Sequence, residues 1–89
     1  MGAPGKPPSR RVVTLYSKSG CHLCVDARAA LLRVQVELGF ELRERDITTD
    51  ETLHRAYFER IPVVAVGGEE LFEYFVDEDL LRERLQAIL

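Results

Sequence analysis

The chain has no apolar run approaching the ~20 residues that a membrane-spanning helix requires, so no membrane partner is expected. It also lacks a basic stripe with interleaved aromatics. Its 12 Lys and Arg are mixed with 15 Asp and Glu, for a formal charge of −3, which argues against nucleic acid as a main partner. Cysteine and histidine are scarce, two of each. A tetrahedral zinc site needs four ligands, and His22 lies between the two cysteines, where it cannot easily join them. No intramolecular metal site is therefore expected. Met1–Arg11 carries Gly2, Pro4, Gly5, Pro7 and Pro8 with no apolar stretch, which does not fit a secretory signal and reads as a solvated leader. The expected address is the cytoplasm, a reducing compartment. There a close cysteine pair is catalytic or metal-binding rather than structural.

What is present suits one globular domain. At 89 residues there is no room for a second, and 46% hydrophobic with 30% charged residues argues against disorder. A chain this short buries roughly 60–65% of its unfolded surface, so its core must be efficiently filled. The expected division is a leader over 1–11 and a domain over 12–89. Val12–Tyr16 is a β-branched, nearly continuous apolar run, as in a strand covered on both faces. From Leu23, apolar residues recur at Ala27, Leu31, Val34 and Leu38, one helical stripe that Gly39 terminates. Phe40–Ile47 reads as a second strand. Thr48–Asp50 is a cap-rich turn opening a short helix through Leu53, Ala56 and Tyr57. Ile61–Pro62 breaks that helix, Val63–Val66 is a third strand, and Gly67–Gly68 turns the chain into a fourth over Leu71–Phe75. Asp77 is a good N-cap for a last helix burying Leu80, Leu81, Leu85 and Ile88. The order β-α-β-α-β-β-α implies an α/β fold with a four-stranded mixed sheet and helices on both faces. Strands separated by a helix are expected to be parallel, and the hairpin pair antiparallel.

Cys21-His22-Leu23-Cys24 falls between the first strand and the first helix. Free amides at a helix N-terminus, with the helix dipole, stabilise an anion there. Cys21 is accordingly the expected attacking thiolate, and Cys24, one turn on, the resolving thiol. A thiol of pKa ~8.5 is about 3% ionised at pH 7, so lowering it gains at most roughly 30-fold in thiolate. With a Brønsted coefficient near ~0.5, lowering it by two to three units costs roughly 10–20-fold in nucleophilicity. The two nearly cancel. The larger consequences are a better leaving group and a more stable reduced form. Lys18, three residues earlier, is placed to add positive potential, as is His22 when protonated; the plainer reading of Lys18 is a solvated loop lysine, and that of His22 a partly exposed helix-start residue with no proton-transfer role. Pro62 is the second anchor. X-Pro bonds are mostly trans, and only the strand–dithiol–helix context favours cis here. A cis bond would leave the Ile61 amide and carbonyl to pair with an extended substrate.

Leu15-Tyr16-Ser17-Lys18-Ser19-Gly20-Cys21-His22-Leu23-Cys24 resembles the strand, lysine and dithiol segment of the glutaredoxins. Arg60-Ile61-Pro62 resembles that family's Thr-Val-Pro, whose proline is cis. The resemblance covers about residues 12–89 and is closest to small bacterial glutaredoxin-like proteins carrying Cys-His-Leu-Cys. It implies a thioredoxin-type fold and thiol–disulfide oxidoreductase activity. It assigns the nucleophile to Cys21 and the resolving thiol to Cys24. Lys18 would meet a glutathione carboxylate, Ile61 would pair with the cysteinyl portion, and Pro62 would shape the groove. The family's Gly-Gly pair, whose amides clasp the glutamyl end of glutathione, is replaced by Tyr74-Phe75-Val76. Asp77 keeps the acidic position that follows. Thioredoxins differ in a buried carboxylate where Leu15 stands and in a tryptophan before the dithiol.

The expected protein is thus a monomeric oxidoreductase with no tightly bound cofactor. Glutathione or another low-molecular-weight thiol is the candidate co-substrate, and the partners are disulfide-containing proteins or small thiols and a thiol reductase. Two other readings stay open: an iron–sulfur cluster carrier bridging two chains through Cys21, and a non-enzymatic binding module. Tyr74 and Phe75 are expected in the core, His54 and Tyr57 as surface and packing residues, and Arg55, Arg60, Glu69 and Glu70 as solvated residues.

Overall fold

The computed structural model describes residues 12–87; the leader and Ile88 lie outside them. Strand β1 (Val12–Ser17) alternates strictly, burying Val13, Leu15 and Ser17 on one face and half-burying Val12, Thr14 and Tyr16 on the other. Helix α1 (His22–Leu38) starts at an extended Cys21 and ends where Gly39 turns to φ 70° and donates its N–H to the Gln35 carbonyl at 2.8 Å. Strand β2 (Glu41–Asp46) is shorter than its apolar signal. Phe40 precedes it, buried in the core, and Ile47 opens a 3-10 turn over Ile47–Thr49 that Asp46 caps. Asp50 caps α2 (Glu51–Tyr57), accepting from the Thr52 and Leu53 amides. Strands β3 (Val63–Val66) and β4 (Glu69–Glu73) form the Gly67–Gly68 hairpin. Asp77 accepts from the Leu80 amide at 3.1 Å at the start of α3 (Glu78–Ala87).

The sheet order is β2-β1-β3-β4. β1 and β2 are parallel, as expected across a helix, but β3 runs antiparallel to β1, with Tyr16 opposite Val63 and Val13 opposite Val66. The expectation that β3 would be parallel fails because of length. Seven residues of α2 advance the chain only about 10 Å, too little to return it along a six-residue strand. β3 therefore starts at the sheet end where β1 and β2 finish.

One core lies between the sheet and the α1–α3 layer and holds Val13, Leu15, Leu31, Val34, Val64, Val66, Leu81 and Leu85. On the opposite face α2 lays Tyr57 on Tyr16, ring centroids 4.4 Å apart. β3 is buried along its whole length, as a strand covered on both sides must be. A bulge between Val64 and Ala65 leaves Leu71 as the extra residue of β4, so Leu71 and Phe72, adjacent in sequence, both pack on the core. Two expectations change at the C-terminal end. β4 stops at Glu73, leaving Tyr74 and Phe75 outside the sheet at 42% and 72% exposure, and Leu80 lies on the outer side of α3 at 36%. α1 also carries a second, exposed apolar row at Val25, Leu32 and Val36. Among the described residues no helix is long and apolar enough to cross a membrane.

Candidate active site

β1 ends, and a short loop through Lys18, Ser19 and Gly20 delivers Cys21 to the N-cap of α1, where Gly20 takes φ 80°. Cys21 and Cys24 are joined as a disulfide with Cα atoms 5.2 Å apart. The Cys24 amide, one of the donors left unpaired by the start of a helix, lies 3.1 Å from both Cys21 Sγ and the Cys21 carbonyl oxygen. Exposure separates the two sulfur residues. Cys21 is partly open to solvent, and Cys24, on the inward stripe with Ala27 and Leu31, is 1% exposed.

Lys18 and His22 are both exposed. Lys18 edges a surface hollow with Ser17, Arg28, Glu44 and Asp46. In its floor the buried Ser17 hydroxyl donates to Glu44 Oε2 at 2.8 Å, and Arg28 Nε donates to Oε1 at 2.7 Å with a second bond from Nη2 to Oε2. The Arg28 hydrogen bonds hold the Glu44 carboxyl below the usual range, Ser17 adding to them and partial burial opposing. Sequence reasoning missed this triad. Its members come from three elements, and only the β1–β2 register brings them together.

The Ile61–Pro62 peptide is cis, as the family resemblance implies, and Pro62 is fully buried. Because Val63 is opposite Tyr16, the segment abuts the end of β1 from which the dithiol loop departs. The Ile61 N–H donates to no other described residue and the Ile61 carbonyl accepts from none, whereas the Pro62 carbonyl accepts from the Tyr74 amide at 2.8 Å. Arg60, expected as a solvated residue, is instead the hub of a network beside this segment. It pairs with Glu70 and Glu73 and lies 5.2 Å over the Tyr57 ring, whose hydroxyl donates to Glu70 Oε2 at 2.8 Å. Burial, reinforced by Glu70, pushes the Tyr57 hydroxyl up to about 12. The two carboxylates hold Arg60 more firmly protonated than usual.

Between β4 and α3 the backbone makes a sharp exit. Tyr74 takes φ 69°, a left-handed conformation that costs a side-chain-bearing residue roughly 1–2 kcal/mol. Its hydroxyl donates to the Glu59 carbonyl at 2.7 Å, and the Phe75 amide donates to the Glu73 carbonyl at 2.7 Å. Asp77 is exposed and uses Oδ1 as the α3 cap. Cys21, Cys24, Lys18, His22, Ile61 and Pro62 thus share one end of the sheet, and Asp77 lies beyond Phe75 at the head of α3. Among the described residues no cluster of three or more His, Cys, Asp or Glu is placed to hold a metal ion.

Residues 12–86 match the family model described as Glutaredoxin-like domain (DUF836). The chain belongs to that glutaredoxin-like family. An uncharacterized protein of Mycobacterium tuberculosis, Rv0508, is 34% identical to this glutaredoxin-like domain over 79 residues, covering 83% of this chain and 81% of its own. The solution structure of Ne2328 from Nitrosomonas europaea is 36% identical with a TM-score of 0.70, covering 81% of this chain and 87% of that one. The X-ray structure of XcR50 from X. campestris is 34% identical with a TM-score of 0.70 and covers 84% and 96% respectively. A thioredoxin from Halobacterium salinarum, 20% identical with a TM-score of 0.63 over 85% of this chain and 72% of its own, shares the fold. The glutaredoxin-like domain is therefore a thioredoxin-fold protein, and its Cys21–Cys24 pair supports a redox-type function.

Proposed function

We propose that this glutaredoxin-like domain is a dithiol oxidoreductase that reduces protein disulfides or mixed disulfides of small thiols. The observation that carries the reading is the asymmetry of the pair: a partly exposed Cys21 at the cap of α1 and a buried Cys24 within disulfide reach. In the reduced protein the Cys21 thiolate attacks one sulfur of the substrate disulfide. A mixed disulfide forms, and the second substrate sulfur leaves as a thiolate that takes a proton from water. Cys24 then loses its proton and attacks Cys21 Sγ, closing the Cys21–Cys24 bond and releasing the first substrate sulfur as a thiol. Two electrons pass to the substrate. A low-molecular-weight thiol such as glutathione, or a thiol reductase, returns them.

The amide donor at Cys21 Sγ favours the anionic sulfur in both steps, as nucleophile and as leaving group. Lys18 and His22 add positive charge when protonated. The unpaired Ile61 backbone groups are suited to an extended substrate segment, Pro62 shapes the groove, and Asp77 retains Oδ2 for a substrate amide. The reading needs no bound cofactor and one chain, and it suits the cytoplasm.

The test is reduction of a glutathione mixed disulfide and of a protein disulfide side by side. Cys21→Ser should abolish both, and Cys24→Ser should spare mainly the glutathione-linked reaction. Activity surviving in Cys21→Ser would refute the assignment. Brown colour with visible absorption in anaerobically purified protein would point instead to a cluster carrier.

A further inference from the structure

The β4–α3 exit leaves a groove that neither step of the dithiol cycle uses. It is a cleft of about 180 Å³ walled by Leu23, Ala27 and Ala30 of α1 and by Tyr74, Phe75 and Val76. Leu23 is inside the dithiol motif and the Tyr74 amide donates to the Pro62 carbonyl, so the groove adjoins the dithiol on the side of the cis-proline segment. Phe75 stands over it at 72% exposure, an unusual position for the most water-averse of ring side chains. The far rim is closed by the ion pair of Arg33 with Glu78, 2.6 Å apart. The near rim is Asp26, which has no ionic partner among the described residues.

We infer, resting on the oxidoreductase reading above, that this groove selects polypeptide disulfides whose cysteine has an apolar neighbour in sequence, and discriminates against glutathione. Three observations converge on it. The groove adjoins the dithiol through Leu23 and the cis-proline segment through Tyr74, so a side chain one residue from a cysteine attacked by Cys21 falls beside it while the substrate backbone runs past Ile61. Its walls are apolar. Its charges are also wrong for glutathione, which brings two carboxylates against one ammonium. Within the groove Arg33 is already neutralised by Glu78, and Asp26 repels. The Tyr74 and Phe75 amides, in the stretch that replaces the glycine pair, are both spent on the Pro62 and Glu73 carbonyls. A neutral, apolar-flanked peptide meets none of these obstacles.

Fully reduced protein is mixed with one disulfide at a time and quenched with acid, and its oxidation is followed by mass, so no recycling reductant enters. The probes are the symmetric disulfides of two blocked pentapeptides, one with its cysteine between two leucines and one between two serines, and glutathione disulfide. Each second-order rate constant is divided by that of the same disulfide with dithiothreitol, which removes intrinsic reactivity. The leucine peptide should react about tenfold faster than the serine peptide, the scale on which an apolar pocket discriminates, and glutathione disulfide no faster than the serine peptide. In Phe75→Ser the leucine-to-serine ratio should fall to about threefold or less; a ratio within one variant does not depend on its active fraction. Equal rates for the two peptides, a ratio unchanged in Phe75→Ser, or glutathione disulfide as the fastest substrate would overturn the inference while leaving the oxidoreductase intact. Failure of all three disulfides to oxidise the protein would overturn the oxidoreductase reading beneath it.

Discussion

Removing the Tyr57 ring should loosen the face of the sheet that leads into Ile61–Pro62. Four contributions are lost in Tyr57→Ala, one of them the cation–π contact of Arg60. The stack on Tyr16 at 4.4 Å is worth about 0.5–1.5 kcal/mol beyond area. Half-burial of the ring removes on the order of 100 Å² of apolar surface from water, about 2.5 kcal/mol as an upper bound. The hydroxyl's bond to Glu70 is partly solvated and contributes about 0.5–1.5 kcal/mol. After discounting for a compact unfolded state, Tyr57→Ala should cost about 2–4 kcal/mol and Tyr57→Phe about 0.5–1.5 kcal/mol. Against a total stability of roughly 4–13 kcal/mol for a chain of this length, the alanine variant should remain folded but with a much lower urea midpoint. Urea unfolding followed by far-UV circular dichroism measures both variants, and adding Tyr16→Ala completes a double-mutant cycle. Its coupling energy should be about 0.5–1.5 kcal/mol. A cost for Tyr57→Ala no larger than for Tyr57→Phe, or a coupling near zero, would refute the claim that the ring stack anchors α2.

Three further outcomes follow from the same geometry. Leu31→Ala, at a fully buried position, should cost about 3–5 kcal/mol, whereas Leu80→Ala, on the outer side of α3, should cost under about 1 kcal/mol by the same unfolding assay. Arg28 depresses the Glu44 carboxyl, so that group's contribution is present above its unfolded pKa of about 4.3 and lost as pH falls through the lower folded value. With both side chains about a third exposed, the term is under about 1 kcal/mol, and Glu44→Gln should shrink the difference in urea-unfolding free energy between pH 6 and pH 3 by that amount. The Tyr57 hydroxyl, raised to about 12, contributes stability that is complete below pH ~10 and disappears as pH rises through the folded value. Tyr57→Phe should remove the component of the alkaline absorbance rise near 295 nm that is centred at about pH 12.

The sequence made some elements plain because their signals are local. The α1 stripe, the Asp50 and Asp77 caps, the Gly39 stop and the Gly67–Gly68 turn each depend on residues within one or two turns of one another, and each stands where its pattern puts it. The dithiol at a strand–helix junction and the proline before β3 were legible for the same reason. What was hidden is what only register reveals. The direction of β3 follows from the shortness of α2. The Arg60–Glu70–Tyr57 network needs the hairpin to swing β4 back beside α2, and the Ser17–Glu44–Arg28 triad needs the parallel pairing of β1 with β2. Tyr74 and Phe75 misled for a physical reason. Their β-propensity suggests a strand, yet the left-handed turn at Tyr74 ends β4 at Glu73, two residues short of the expected end, and turns Phe75 outward. The spacing of leucines puts Leu80 on the buried face of α3 beside Leu81 and Leu85, yet the packing of those two leaves it at the margin.

The central claim is that residue 21 carries the attacking sulfur and residue 24 the one that releases it. Cys24→Ser protein, reduced and then exposed to a disulfide substrate at pH 7, should accumulate a covalent adduct that peptide mass mapping locates on Cys21. The unsubstituted protein should pass through that adduct to the internal disulfide. An adduct that never forms in Cys24→Ser, or a Cys21 that forms it no faster than a free cysteine peptide, would contradict the account.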